Sequence, residues 1–131
     1  ASLDALLVYD TDVKMFYYYN AATSSWTPIN VGTVSTKTGT TYTLSAADNG
    51  RVLDFTSATA VTLTVPSTLP VGFQVSITQA GAGQVTFVGS GGITINNRYS
   101  ATKTSGQWAK AGLEIRVSGA SGSAVLSGDV Q

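Results

Sequence analysis

Along "AVTLTV" the apolar side chains Val61, Leu63 and Val65 alternate with Thr62 and Thr64, so a strand there has one apolar and one polar face. The same period of two runs through "GFQVSIT", where Phe73, Val75 and Ile77 alternate with Gln74, Ser76 and Thr78. It returns in "LEIRV", where Leu113, Ile115 and Val117 alternate with Glu114 and Arg116. Shorter runs, "TTYTLS", "RVLDF", "QVTFV", "GITI" and "AVLSG", recur between turn residues, the spacing of an all-β sandwich or barrel. No stretch carries the 3.6-residue period of a long helix, and at most one helical turn is expected, near Ser45 to Asp48. One solvated face per strand is what antiparallel sheets have. The pattern predicts an all-β fold, a small antiparallel β-sandwich of jelly-roll type.

Between the runs, Asn49-Gly50 is the strongest tight-turn signal, and Pro66 and Pro70 bracket "STL" to close one strand and lead to the next. "QAGAGQ" reads as a glycine-rich hairpin loop joining "GFQVSIT" to "QVTFV". Ahead of this region, "ALLVY", "KMFYYYN" and "SSWTPIN", joined by "DTDV" and "AAT", predict a three-stranded meander. Two domains follow: residues 1–30 as the meander and 38–131 as the sandwich. The stretch "VGTVSTKTGT", which has no large side chain, is a linker or an edge strand.

Composition narrows the chemistry. The 131 residues carry seven basic and seven acidic side chains, only 11% charged, and none of them cluster. That leaves no electrostatic footprint for nucleic acid. No apolar run approaches a membrane span, and no secretory leader is read. Ala1-Ser2 reads as a cloning remnant or as a cut within a longer chain. With no Cys and no His there is no thiol nucleophile, no imidazole base and no Cys or His metal ligand. A carboxylate pair of glycosidase type is what remains. Of Asp4, Asp10, Asp12, Asp48, Asp54, Glu114 and Asp129, only Asp54 and Glu114 could face each other across a sheet, and each has a basic residue nearby to pair with. No catalytic, cofactor or metal residue is assigned, and the chain is not expected to be an enzyme. "YDTD" begins a calcium-loop spacing but lacks its later Gly and Glu, and reads as a turn. "GAG" and "GSGG" are turns too, since no helix follows to complete a phosphate loop.

"MFYYYN" puts Phe16 and Tyr18 on one face of a strand and Met15, Tyr17 and Tyr19 on the other. Two adhesive faces on so small a meander imply contact: with the chain's own sandwich, with another copy, or with a ligand. Met15, Tyr17, Tyr19 and Trp26 form the candidate oligomer seam, with the opposite face packed into the chain's own structure. Trp108 in "SGQWAKAG" is ambiguous in the same way. Arg98, Tyr99 and Lys103, in the loop "INNRYSATKTSG", are the candidates for contact with a receptor.

The run "LLVYDTDVKMFYYYN…SW" resembles a short module of bacteriophage fibre and appendage proteins that precedes a β-rich distal domain. "YTL", "DNG", "VTLTVP", "LPVGFQVSI", "QAGAGQVTF" leading to Gly92 and Ile93, and the closing "LSGDV" are similar to the small β-domain repeated in phage tail fibres and other virion proteins. The resemblance covers nearly the whole chain and is one of strands and turns. It departs from the pattern at Ala124, in a region where an aromatic commonly precedes the closing motif. It implies a virion surface protein made in the host cytoplasm, commonly a homotrimer. Its partners would be other virion proteins and, as a candidate, a host surface glycan. A tail fibre or receptor-binding protein is the first expectation. A capsid decoration or head-fibre protein is the second, and a carbohydrate-binding module the third.

Overall fold

Strands form where the alternation runs, but their partners are not the ones alternation suggests. The computed structural model describes residues 6–12, 15–22, 24–29 and 33–131. Asp4, Ala5, Val13, Lys14, Thr23, Val31 and Gly32, which figured in the reading above, lie outside the described residues. The chain divides into two compact units, Ala1–Val31 and Gly32–Gln131.

In the first unit β1 (Leu7–Asp10), β2 (Met15–Asn20) and β3 (Ser25–Pro28) form a three-stranded antiparallel sheet in the order β1-β2-β3. The meander is present as expected.

The second unit is also β-structure, but its sheets are not those of an antiparallel jelly roll. Its strands are β4 (Val34–Lys37), β5 (Thr41–Thr43), β6 (Val52–Phe55), β7 (Val61–Pro66), β8 (Gln74–Gln79) and β9 (Val85–Ser90), followed by β10 (Thr94–Asn96), β11 (Lys110–Val117) and β12 (Ser123–Gly128). Successive strands fall alternately in two sheets, so that β4, β6 and β8 pair in parallel in one sheet and β5, β7 and β9 in parallel in the other. The chain therefore winds as a coil of three rungs, each a strand in one sheet followed by a strand in the other. Between the second and third rungs the step is 24 residues in both sheets, Val52 to Ser76 and Val61 to Val85. The first sheet is then extended by antiparallel β11 on β8 and β12 on β11, with β10 parallel on β12, giving the order β10-β12-β11-β8-β6-β4.

Inward side chains of both sheets form one core. Leu53, Phe55, Val75, Ile77, Leu113 and Ile115 meet Leu63, Val65, Val85 and Phe87, and all are essentially buried. A buried Leu, Val or Phe contributes about 1.5–3 kcal/mol, so this shared core is the principal stabilising element. Stacking puts like on like along the coil: Leu53 lies beside Ile77, Val61 beside Val85, and Leu63 beside Phe87. On the outer face of the second sheet, Thr41, Thr62 and Thr86 stand in one cross-strand row and Thr43 and Thr64 in another. β-Branched side chains suit such a half-solvated surface. Thr is thus both strand former and solvent coat.

Coiling changes the meaning of the turns. β8 and β9 do not pair with each other, so "QAGAGQ" is not a hairpin loop but a corner stacked on the previous corner. Gly81 N–H donates to the Phe55 carbonyl (2.8 Å) and Gly83 N–H to the Ser57 carbonyl (2.9 Å). A Cβ at Gly83 would run into the backbone of Thr59. Asn49-Gly50 is likewise a corner, tied to the next rung: Gln74 N–H donates to Asn49 Oδ1 (2.9 Å), and Gly50 N–H donates to the Gln74 carbonyl (2.7 Å). The helical turn appears as a 3₁₀ turn, Ala46–Asp48. Asp48, only 4% exposed, accepts from the Tyr42 hydroxyl (2.9 and 3.1 Å), Ser45 N–H (2.9 Å) and Ser45 Oγ (3.1 Å).

Three readings from alternation need comment. "VSTK" within residues 31–40 is the edge strand β4, pairing along β6 from Val34↔Val52 to Lys37↔Phe55, so the β-structure of this unit begins before residue 38. Val117, expected inside, is 50% exposed. A register shift between Ile115 and Val117 inserts one residue and turns Val117 outward. Ala124, the departure from the phage pattern, is fully buried opposite both Ile95 and Ile115.

Candidate functional site

The first unit keeps the predicted aromatic faces. Tyr19 lies opposite Trp26, Tyr17 opposite Val8, and Met15 opposite Asp10, which brings Met15, Tyr17, Tyr19 and Trp26 to one face. Tyr19 and Trp26 meet edge to face at 5.4 Å, and Val8, Asp10, Tyr17 and Trp26 line a shallow hollow of about 320 Å³. Asp10 Oδ1 accepts from Asp12 N–H (2.9 Å), the local bond that makes "DTD" a turn. The opposite face carries Tyr9 and Phe16, in ring contact at 4.9 Å, with Leu7 and Ile29. Tyr9, Phe16 and Trp26 each remain about half exposed (49%, 50% and 45%), so aromatic surface is open on both faces. Paired rings cover part of one another and leave the rest to solvent.

In the second unit the candidates lie in the connection between β10 and β11, residues 97–109, a long loop for so compact a unit. Asn97 organises its start. Its Oδ1 accepts from Tyr99 N–H (2.8 Å) and Ala101 N–H (3.1 Å), while its Nδ2 donates to the Leu126 carbonyl (2.9 Å). Arg98 and Tyr99 are brought together, the guanidinium 5.4 Å from the ring centroid, and Tyr99 is 76% exposed. Lys103 is held elsewhere. Its backbone bridges Thr86 at the edge of β9 and exchanges hydrogen bonds with Gln131, so its place in the chain is to cover a sheet edge. Beneath this segment, the fully buried Thr104 hydroxyl donates to Gln79 Oε1 and accepts from Val85 N–H (2.9 Å). That bond pair anchors the loop.

Trp108, left ambiguous by the sequence, is the unusual residue of this loop. It is 69% exposed, and its backbone is left-handed at φ 69°. A bulky L-residue in that conformation costs about 1–2 kcal/mol, which Gly avoids. The strain is held from both sides. Trp108 N–H donates to the Gln79 carbonyl (2.6 Å), Gln107 Nε2 to the Ala80 carbonyl (2.9 Å), and Ala109 N–H to the Gly106 carbonyl (3.0 Å). Ala109 itself is buried. Nothing in "SGQWAKAG" signals the left-handed turn, because Gly106 two residues earlier is the expected place for one.

Among the described residues, Asp54 and Glu114, the carboxylate pair weighed from the sequence, do not come together. Glu114 binds Arg116 at 2.8 Å across an exposed pair. Asp54 stands in a cross-strand row with Thr78 and Lys110, whereas Glu114 pairs with Gln74, four residues further along β8. From strand spacing and rise, the α-carbons of the two residues are about 16 Å apart. A glycosidase pair needs about 5–9.5 Å. Among the described residues no three of Asp and Glu group to hold a metal ion, and no helix is long and apolar enough to cross a membrane. No protein-family model matches the chain, and no curated protein matches it either.

Proposed function

We propose that the chain is a non-enzymatic structural protein of a bacteriophage virion, exposed on the particle as an appendage such as a tail fibre or receptor-binding protein, and that it works as a homotrimer. The observation that carries this reading is the first unit's sheet, with half-exposed aromatics on both faces. A sheet of this size has no interior of its own to hide them, and association is the common remedy for so small a unit. Copies around an axis would bury Met15, Tyr17, Tyr19 and Trp26 within a closed assembly that does not grow into aggregates. The second unit supports the same reading as a display body: two sheets over one core, wound as a coil, with Tyr99 and Trp108 of the 97–109 loop its most exposed aromatics. Arg98 and Tyr99 are the receptor-facing pair in this reading, with Lys103 four residues further along the same loop.

Gold-labelled antibody against the second unit, applied to intact particles, tests the proposal by electron microscopy. Label at the tail is the expected result. Label at the capsid would replace the tail assignment with a head-fibre one, and particles without label would overturn the virion assignment.

A further inference from the structure

We infer that Trp108 is a stacking platform for a neutral pyranose ring, the anchor of a saccharide site that rests on the surface-display reading above. Three observations converge on it. The residue is bulky and left-handed, a combination that strain disfavours and that a glycine would relieve. Its indole is 69% exposed, so burial does not compensate that strain. Hydrogen bonds made by Gln107, by its own N–H and by Ala109 hold the backbone on both sides, so the ring is presented from a fixed base. Strain that the surrounding structure maintains, and that no packing rewards, is a mark of a working residue.

The chemistry of the surroundings selects the ligand. Ser105, Gly106 and Gln107 precede the indole, all uncharged and none buried, while the buried Ala109 and the exposed Lys110, the one charge this close in the chain, follow it. A protein partner would call for a continuous apolar patch rather than one ring among polar residues. A pyranose presents an apolar face of C–H groups carrying slight positive charge, which the negative face of an indole attracts. Its hydroxyls leave the ring edge, where amide, hydroxyl and backbone groups can bond them. A pre-held aromatic loses little conformational entropy on binding, which suits weak contacts repeated over several copies.

The test uses the full chain carrying Trp26→Phe, so that Trp108 is the only indole. The titrants are neutral oligosaccharides (maltohexaose, cellohexaose, chitohexaose and mannohexaose) and one polyanion, hyaluronan, with Trp108 fluorescence and calorimetry as readouts. A shift of Trp108 emission with saturable heat for at least one neutral oligosaccharide is expected, retained in high salt. Trp108→Ala should weaken that binding about tenfold or more, the loss of one stacking contact. Trp108→Gly should lose it equally while raising the thermal midpoint by about 4–8 °C through release of strain. That variant separates a ligand role from a folding role. Silence from all four neutral sugars, binding confined to hyaluronan and abolished by salt, or a lower midpoint for Trp108→Gly would each overturn the inference. Phage carrying Trp108→Ala keeps the two readings apart: particles that assemble and still label, yet adsorb poorly, are expected. Loss of the label would instead count against virion placement.

Discussion

Replacing Gly83 by Ala tests the coil directly, because a hairpin tip and a stacked corner give opposite signs. A solvent-exposed hairpin tip would accept a methyl group, and Gly→Ala at a compatible backbone commonly stabilises by about 0.4–1 kcal/mol through the unfolded chain. In the stacked corner the new Cβ meets the carbonyl groups of Thr59 and Ser57. These are backbone atoms of the rung below and no rotamer change removes them. Overpacking costs about 1–3 kcal/mol even where side chains can yield. Here the upper end applies, about 3 kcal/mol, since the Gly83 N–H bond to the Ser57 carbonyl must lengthen as well. For a unit of Gly32–Gln131 that corresponds to a fall in thermal midpoint of about 12–24 °C. Gly106→Ala is the internal control, because a Cβ there meets nothing within 4 Å. It should be neutral or stabilising by about 0.4–1 kcal/mol. Urea and thermal unfolding followed by circular dichroism measure both. A Gly83→Ala protein as stable as the parent would refute rung-on-rung stacking at this corner.

The Asp48 cluster should behave as a coupled pair: Asp48→Ala is expected to cost about 2 kcal/mol and Tyr42→Phe about 1, with less than the sum in the double variant, a shortfall that urea midpoints can resolve. Thr104→Val conserves shape but strips Gln79 Oε1 and Val85 N–H of a buried partner, and unfolding should show a loss of about 2–3 kcal/mol, against under about 0.5 for exposed Thr102→Val. For the seam, light scattering after size-exclusion chromatography should give three times the chain mass, and Tyr17→Ser with Tyr19→Ser should shift it to that of one chain. A stable monomer at tens of micromolar, unchanged by that pair, would remove the seam.

Alternation by itself determined where strands lie and which way most side chains point. Val61, Leu63, Val65, Phe73, Val75 and Ile77 are all buried as their spacing requires, because a period of two belongs to any single strand whatever its neighbour. The two-faced character of "MFYYYN" followed from the same rule. Partnership is another matter. An alternating strand reads identically beside a parallel or an antiparallel neighbour, and here only the winding of the chain makes β7 the neighbour of β5 and β9 instead of β6 and β8. A trace of it was legible in the repeat of "VTLT" and "VTFV" 24 residues apart, but three rungs, the first of a different length, make a faint period. Glycine in "QAGAGQ" was expected at a hairpin tip and stands instead in a stacked corner. What it avoids is the backbone of the rung beneath, a contact distant in sequence. Val117 was turned out by one extra residue in a ladder, and Trp108 was driven left-handed by hydrogen bonds made on both sides of it. Each of these depends on atoms brought together by the fold, and so only the tertiary structure decided them.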